Sequence, residues 1–324
     1  MTAIIEVEGL TKKYKNGKGA LRGLDFTVET GKIFGLLGPN GAGKSTTMSI
    51  LTTMIRKTQG KVIVDGIDLD ENPEEIKKNI GIAFQESTSD TDLTGRENLQ
   101  YIAGLSGMSS QAAYQKINDI LEKMDLKESA DILVKRYSGG MKRKLELAAA
   151  MIHDPKIIFL DEPTLQLDPA SRAEFWNYIK DLKERAGITI FLNTHYLDEA
   201  ERLCDAIAII DQGKIIVQGA PDIIKETVKG DIIKIKVKNE TPSFNKIIQD
   251  VHGVLEVVRS NSYYLIKCQN SNRVIPSVVL EIKENNVELQ ELTVIRPSLE
   301  QAFLEITGRG YTENGKTNSE GDAN

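Results

Sequence analysis

The sequence has little cysteine and no long apolar segment. Its two cysteines, Cys204 and Cys268, are too few for a disulfide framework and too far apart for a C-x-x-C metal pair. We therefore expect a reducing compartment, with Cys204 as a small core residue rather than a reactive thiol. No run approaches the roughly 18 apolar residues of a membrane-spanning helix, and the first residues lack the pattern of a secretion signal. We expect a cytosolic chain that acts at a membrane only through a partner.

The sequence also has no excess of positive charge. The 41 Lys and Arg residues are outnumbered by 47 Asp and Glu residues, which gives a formal net charge of −6. This balance disfavours a protein that coats nucleic acid phosphates, and we expect no nucleic acid partner. Hydrophobic residues make up 40% and charged residues 27% of the 324 residues, which excludes collagen-like, coiled-coil and wholly disordered chains.

Short apolar runs rich in Ile, Val and Leu recur over the first 220 residues, with helical patterns between them. They occupy residues 3–7, 61–64, 80–84, 157–160, 188–192 and 206–210. Runs of this length with helical spacers predict an α/β fold, in which a largely buried, mostly parallel sheet is joined by crossover helices.

Residues 86–136 show a different pattern, without a convincing strand. Thr94 and Glu97 have the spacing of a capping box that opens a helix. A second helix is predicted from apolar residues that recur on one face, namely Ala113, Ile117, Ile120, Leu121 and Met124. We interpret this stretch as a helical insert within a first domain that spans residues 1–220.

The pattern after Gly219 and Pro221 is typical of a small α+β domain at residues 221–309. Strands are predicted at 232–237, 255–258, 263–268 and 287–295, and helices at 243–251, at 275–283 and from Ser298. The order β-α-β-β-α-β-α is that of a ferredoxin-like domain. Ser298 and Gln301 form a capping box for the last helix. We expect a disordered tail at 310–324, where large aliphatic residues are absent.

The strongest chemical motif follows the apolar run at residues 33–37. It matches the phosphate-binding pattern G-x-x-x-x-G-K-[ST], in the order Gly38, Pro39, Asn40, Gly41, Ala42, Gly43, Lys44, Ser45 and Thr46. Glycines let the backbone fold around phosphates, and the positive end of the following helix faces the same anion. We expect Lys44 to reach the β and γ phosphates of a nucleotide and Ser45 to coordinate Mg²⁺.

Two carboxylates, Asp161 and Glu162, end the apolar run at residues 157–160. Ligands bind at the carboxyl ends of strands in sheets of this kind. We expect Asp161 to hold the magnesium shell. Glu162 points in another direction and is suited to polarise an attacking water, because phosphoryl transfer requires mainly positioning and charge stabilisation.

The segment Tyr137-Ser138-Gly139-Gly140-Met141 lies between these two motifs and resembles the LSGGQ-like signature of ATP-binding cassette (ABC) ATPases. Ser138, Gly139 and Gly140 precede a helical pattern, so a hydroxyl and free amides meet at a helix N-terminus that suits an anion. In the family this anion is the γ-phosphate bound on the other subunit. The resemblance covers residues 1 to about 309 and implies a P-loop NTPase cassette.

Further motifs of the family follow in order. The resemblance implies that Gln85 senses magnesium and the attacking water, and that Asp168 acts across a dimer interface. It also implies that His195 contacts the γ-phosphate and that Tyr14 stacks on adenine. Each residue taken alone has a plainer interpretation: a polar strand end for Gln85, a helix cap for Asp168, a satisfied core histidine for His195 and an exposed ring for Tyr14.

Two departures from the commonest family pattern stand out. Tyr137 and Met141 replace Leu and Gln in the signature, and Gln166 stands where Gly more often precedes the Leu167-Asp168 motif. The signature is similar to that of ABC ATPases of the daunorubicin-resistance type, which serve drug, antibiotic and lipid exporters. Residues 298–304 resemble the C-terminal helix of the same subgroup.

The resemblance implies an ATPase subunit on the cytoplasmic face of the cell membrane. Two copies, most simply a homodimer, would bind two MgATP molecules, and a separate transmembrane permease would dock near Gln85 and the helical insert. A soluble ABC ATPase acting on ribosomes or DNA is the alternative, which the single cassette, the two cysteines and the acidic balance disfavour. A nucleotide sensor without turnover would lack the catalytic carboxylate, and Glu162 is present.

Overall fold

Strands and helices alternate over the first 226 residues of the computed structural model, which describes residues 2–17, 19–226, 230–239, 244–260, 262–295 and 298–307. The strands are β1 (Ala3–Lys13), β2 (Gly19–Glu29), β3 (Ile33–Leu37), β4 (Gln59–Val64), β5 (Ile67–Asp68), β6 (Ile80–Ala83), β7 (Ile157–Asp161), β8 (Thr189–Thr194), β9 (Ala206–Asp211) and β10 (Lys214–Gly219). The helices are α1 (Lys44–Leu51), α2 (Pro73–Asn79), α3 (Gly95–Leu105), α4 (Ser110–Lys123), α5 (Gly139–Met151), α6 (Pro169–Ala186), α7 (Leu197–Leu203) and α8 (Pro221–Glu226).

The main sheet has the strand order β10-β9-β3-β8-β7-β6. Its strands run parallel except for β10, which pairs antiparallel with β9. Strands β3 and β8 are buried along their whole length, as expected when helices cover both faces. The predicted α/β fold with a mostly parallel sheet is therefore confirmed.

Two of the predicted strands, at residues 3–7 and 61–64, do not belong to that sheet. They form part of a separate antiparallel sheet with the order β2-β1-β4-β5. Only a short connection links β1 to β2, and short connections join antiparallel strands, whereas parallel strands need a long crossover. The sequence analysis missed β2, because its buried residues alternate with exposed ones instead of forming an apolar run.

The helical insert is present where the sequence predicts it. Helices α3 and α4 and the short 3₁₀ turns Lys127–Ser129 and Val134–Arg136 occupy it. Thr94 caps α3 through the predicted capping box, in which the Glu97 N–H donates to the Thr94 hydroxyl (3.2 Å) and the Thr94 N–H donates to the Glu97 carboxylate (2.8 Å). The buried face of α4 carries Ala113, Ile117, Ile120 and Leu121, as its periodicity predicts.

A second compact unit begins at Asp222, so α8 belongs to it except for Pro221. The elements that follow α8 are β11 (Asp231–Lys238), α9 (Phe244–Gln249), β12 (Val254–Ser260), β13 (Tyr263–Cys268), α10 (Ser271–Glu284), β14 (Glu288–Ile295) and α11 (Leu299–Thr307). The antiparallel sheet has the order β12-β13-β11-β14, and α9 and α10 supply apolar residues to its core.

The order of these elements is the predicted β-α-β-β-α-β-α. Ser298 and Gln301 exchange the hydrogen bonds of the predicted capping box, each at 3.2 Å. Ser243, where the predicted first helix of this unit begins, and the predicted tail at 310–324 lie outside the described residues. Within the described ranges, no helix combines the length and the hydropathy that crossing a bilayer requires.

An aromatic cluster joins the two sheets of the first unit. Phe191 on β8 lies 5.6 Å from Phe34 on β3, 5.3 Å from Phe159 on β7 and 6.2 Å from Phe26 on β2, measured between ring centroids. Phe26 and Phe34 stack at 5.4 Å. Aromatic pairs at these distances add to the stability that burial provides. The mostly parallel sheet, whose strand β7 ends at Asp161, thus packs against the antiparallel sheet through apolar side chains.

We expect Phe191→Ala to lower the free energy of unfolding of this unit by about 3–5 kcal/mol, because the change leaves a cavity among three aromatic rings. Urea denaturation followed by tryptophan fluorescence measures this effect, since the single tryptophan of the sequence, Trp176, lies in the same unit. Tyr114→Ala, at an exposed position on α4, serves as the control and should change stability by less than about 0.5 kcal/mol. Equal effects of the two variants would contradict a core role for the cluster.

Candidate functional site

The loop between β3 and α1 carries the phosphate-binding motif. A side chain at Gly38 would place its Cβ 2.2 Å from the carbonyl oxygen of Ile210. Gly43 has a φ of +116°, and a Cβ at this position would collide with the Leu21 side chain. Glycine is therefore required at both positions. The loop leads directly into α1, which begins at Lys44, so its backbone lies at the positive end of a helix.

Lys44 is buried, with 5% of its surface exposed. Its Nζ donates to the carbonyl oxygens of Gly38 (2.7 Å) and Pro39 (3.3 Å), and it lies 3.8 Å from Oε1 of Glu162. Burial lowers the pKa of Lys44, and the charges of Glu162 and Asp161 oppose that shift. The ammonium group is therefore held across the loop and beside two carboxylates.

Asp161 and Glu162 leave the carboxyl end of β7 in different directions. Glu162 has a φ of +48°, and its N–H donates to the carbonyl oxygen of Asn193 at 2.8 Å. Asp161 is the last residue of the strand and accepts a hydrogen bond from the Asn193 side chain. Burial raises the pKa of Asp161, while the hydrogen bond from Asn193 and the charge of Lys44 act against that rise.

His195 follows β8 and pairs with Glu162. Oε2 of Glu162 lies 2.5 Å from Nδ1 of His195 and accepts the backbone N–H of His195 at 3.3 Å. Both side chains are less than a tenth exposed. Two contacts from one residue to the same oxygen fix the direction of the Glu162 carboxylate. Its other oxygen, Oε1, faces Lys44.

Lys44, Glu162 and His195 line one cavity of about 670 Å³. Its lining includes Tyr14, Asn40, Gly41, Gly43, Lys44, Ser45, Thr46, Gln85, Glu162 and His195. Tyr14 lies at the rim, with its hydroxyl 3.3 Å from the Thr46 hydroxyl. The structure therefore brings together residues that are distant in the sequence, and most of the predicted site residues are among them.

Several predicted site residues do not line this cavity. They are Gly38, Pro39, Ala42, Ser138, Gly139, Gly140, Asp161 and Asp168. Ser138 caps α5 and accepts the N–H of Met141 at 3.2 Å. Asp168 caps α6 through the N–H groups of Ala170 and Ser171, and these hydrogen bonds and the one from the Ser171 hydroxyl lower its pKa.

Gln166 has a left-handed backbone, with a φ of +67°. Glycine adopts this conformation without the steric cost that a Cβ brings. The observed φ gives a physical reason for the glycine that is more often found here in the family that the sequence resembles. The Gln166 side chain is exposed, and the structure describes no hydrogen bond from it.

The sequence analysis missed several residues around the cavity. Arg22 and Gln212 line it. Arg143 on α5 donates to the carbonyl oxygens of Phe84 (2.9 Å) and Gln85 (2.7 Å), and so holds the backbone of the predicted magnesium-sensing residue. No local pattern marks these residues, because Arg22 lies on the unpredicted strand β2 and Arg143 acts on a segment nearly sixty residues away.

Comparison with known proteins agrees with this geometry. Residues 21–165 match the family described as ABC transporter. The daunorubicin resistance ATP-binding protein DrrA2 of Streptomyces coeruleorubidus is 38% identical over 313 residues, which cover 96% of this chain and 96% of the relative. The linearmycin resistance ATP-binding protein LnrL of Bacillus subtilis is 34% identical over 309 residues, which cover 94% of this chain and 99% of the relative.

A solved structure shares the fold. The protein cbiO1 of Clostridium perfringens, described as part of the ABC transporter complex cbiONQ, superposes with a TM-score of 0.66 and 25% sequence identity. The match covers 69% of this chain and 91% of that protein. Because similarity of this extent accompanies a cavity that contains the phosphate loop, a buried carboxylate and its histidine, the chain belongs to the ABC transporter family, as an ATP-binding subunit that hydrolyses ATP to drive transport.

Proposed function

We propose that the chain is the ATPase subunit of an exporter for drugs, antibiotics, lipids or similar amphipathic compounds. The observation that carries this proposal is the single cavity that unites Lys44, Ser45, Gln85, Glu162 and His195. The names of the relatives support the cargo class, because they refer to daunorubicin and linearmycin resistance. No observation favours the alternative of a soluble ATPase acting on ribosomes or DNA.

In this proposal the phosphate loop binds the triphosphate of ATP. Lys44 reaches the β and γ phosphates, and the loop amides and the N-terminus of α1 provide further positive potential. Tyr14 at the cavity rim stacks on adenine. The low exposure of Lys44 strengthens its interaction with phosphate, since fewer water molecules screen the charge.

The residues at the phosphate end fit a magnesium ion. Ser45, Gln85 and Asp161 offer a hydroxyl, an amide oxygen and a carboxylate, the hard oxygen donors that Mg²⁺ prefers. The buried Oδ1 of Asn193, next to Asp161, has no hydrogen-bond partner and adds an oxygen that is available to an ion or its water. When bound, the ion would neutralise phosphate charge.

Glu162 is proposed as the group that activates water. His195 holds Oε2 of Glu162, so Oε1, which faces Lys44, is the oxygen directed toward the bound phosphates. As the oxygen of water attacks the γ-phosphorus and the bond to ADP breaks, Oε1 accepts the proton that the water loses. His195 lines the same cavity and donates to the γ-phosphate in this proposal.

A second copy of the chain completes each site. Ser138, Gly139 and Gly140 begin α5 but do not line the cavity of their own chain, which supports a role toward the γ-phosphate of a partner. Asp168 acts across the same interface. Closure of a homodimer on two MgATP molecules, and its opening after hydrolysis, would drive the permease between two access states.

The permease is proposed to dock on the helical insert near Gln85, at the cytoplasmic face of the membrane. Tyr101 and Leu105 on α3 are 64% and 69% exposed, and Tyr114 on α4 is 61% exposed. Large apolar side chains at this exposure are typical of interaction surfaces when they cluster. Leu99 and Ala103 of the same helix α3 are fully buried.

Lys44→Ala should weaken ATP binding by about 10- to 100-fold, because a buried, charge-assisted contact to phosphate is lost. Titration calorimetry with ATP measures the change. Lys61→Ala, at an exposed position on β4, is the matched control and should leave the affinity unchanged. Unchanged affinity in Lys44→Ala would contradict the role of the loop.

Glu162→Gln should lower kcat by about 10²- to 10⁴-fold while ATP still binds, because the amide cannot accept the proton of water. The same variant should accumulate as an ATP-bound dimer in size-exclusion chromatography. Glu184→Gln on the exposed face of α6 is the control for loss of a carboxylate. Turnover at the wild-type rate in Glu162→Gln would remove Glu162 from the role of base.

A tagged Glu162→Gln protein, purified with ATP from detergent-solubilised membranes of its host, should recover a membrane protein that has no cassette of its own. Leu105→Ser in the same background should reduce this recovery by about tenfold, whereas Met54→Ser, at another exposed apolar position, should not. Recovery of ribosomes or nucleic acid without a membrane protein would overturn the exporter assignment.

A further inference from the structure

A buried carboxyl group, Glu199 on α7, lies close to the catalytic pair and has no part in the roles assigned above. It is 0% exposed. Burial raises the pKa of this group, and the negative charge of Glu162 acts in the same direction. A carboxyl group kept in such surroundings needs hydrogen bonds to offset its loss of water.

Hydrogen-bond donors from separate elements converge on this group. The Thr164 hydroxyl donates to Oε1 of Glu199 at 2.8 Å, and Nε1 of Trp176 on α6 donates to the same oxygen at 3.0 Å. The other carboxylate oxygen of Glu199, Oε2, has no hydrogen-bond partner among the described residues. Thr164 is 0% exposed and Trp176 is 7% exposed, so water does not compete for the two contacts to Oε1.

Thr164 and Glu199 lie near the two members of the catalytic pair along the chain. Thr164 lies two residues after Glu162, in a turn where the N–H of Leu165 donates to the carbonyl oxygen of Glu162 at 3.1 Å. Glu199 lies on α7, which begins two residues after His195. The hydrogen bond from Thr164 to Glu199 therefore links the turn that carries Glu162 to the helix that follows His195, and the hydrogen bond from Trp176 links α6 to the same carboxyl group.

We propose that Glu199 is a positioning residue for ATP hydrolysis, which holds the Glu162 turn against α7, the helix that follows His195, and so keeps Glu162 and His195 at the separation that their pairing requires. In this proposal Glu199 acts as a hydrogen-bond acceptor, because the Thr164 hydroxyl and the Trp176 indole N–H both donate to its Oε1. This inference rests on the proposed role of Glu162 as the group that activates water. A small loss of position at such a group has a large effect on the rate.

The test compares kcat and KM for ATP hydrolysis by the full chain with the affinity for ATP. Glu199→Ala should lower kcat by about tenfold or more, with the ATP affinity changed by less than about threefold. Glu199→Gln keeps an oxygen acceptor of the same size at the same place and should restore most of kcat. Loss of kcat in Glu199→Gln equal to that in Glu199→Ala would overturn the proposal that hydrogen-bond acceptance is what matters.

A second pair of variants changes Thr164, the donor of the hydrogen bond to Glu199. Thr164→Val removes the hydroxyl without changing the shape of the side chain and should lower kcat, whereas Thr164→Ser keeps the hydroxyl and should retain it. Ile76→Ala, at a buried position on α2 outside the hydrogen bonds of Glu199, is the control for a loss of stability. It should leave kcat unchanged below its unfolding temperature. A fall in kcat for Ile76→Ala equal to that for Thr164→Val would assign the effect to stability and contradict the proposal.

The outcome for Glu162→Gln separates this inference from the function on which it rests. If Glu162→Gln abolishes turnover but Glu199→Ala and Thr164→Val keep the wild-type kcat, only the positioning role is wrong. If Glu162→Gln retains turnover, the assignment of the base is wrong and the positioning role of Glu199 falls with it.

Discussion

The register between β7 and β8 is the constraint on which the site depends. Asp161 pairs with Asn193 at the carboxyl ends of these parallel strands, so Glu162 and His195 leave the sheet at neighbouring points. Because side chains alternate between the two faces of a sheet, a slip of one residue would direct the site residues to the wrong side. The register is held by strands that are buried almost throughout, and by the aromatic cluster around Phe191.

Burial of charged groups strengthens the electrostatic interactions in the site and also lowers the stability of the fold. Lys44, Glu162 and His195 are each less than a tenth exposed, and isolated charges at such positions would be expensive. Their mutual contacts offset part of that cost and orient each group before substrate arrives. In the proposed mechanism, groups that are oriented in this way need no rearrangement during phosphoryl transfer. The proposed role of Glu199 extends this orientation one layer deeper.

Much of the fold and of the candidate site could be predicted from the sequence. The parallel strands, the helical insert and the C-terminal order of elements follow from apolar periodicity and from capping residues such as Thr94 and Ser298. The phosphate loop was recognisable because its residues are consecutive, and each has a local reason in backbone conformation or in the N-terminus of α1. The Asp161–Glu162 pair was recognisable because it ends a buried strand.

The remaining features could not be predicted because they depend on contacts between distant segments. Two predicted strands belong to the antiparallel sheet, which is a matter of pairing partners and not of strand propensity. Arg143 and Glu199 carry no local signal, since each acts on a segment at least thirty residues away. The sequence determined which groups could bind phosphate and activate water, because these properties belong to single residues and short motifs. Only the tertiary structure decided which oxygen of Glu162 pairs with His195 and which faces Lys44, because that choice depends on strand pairing and burial.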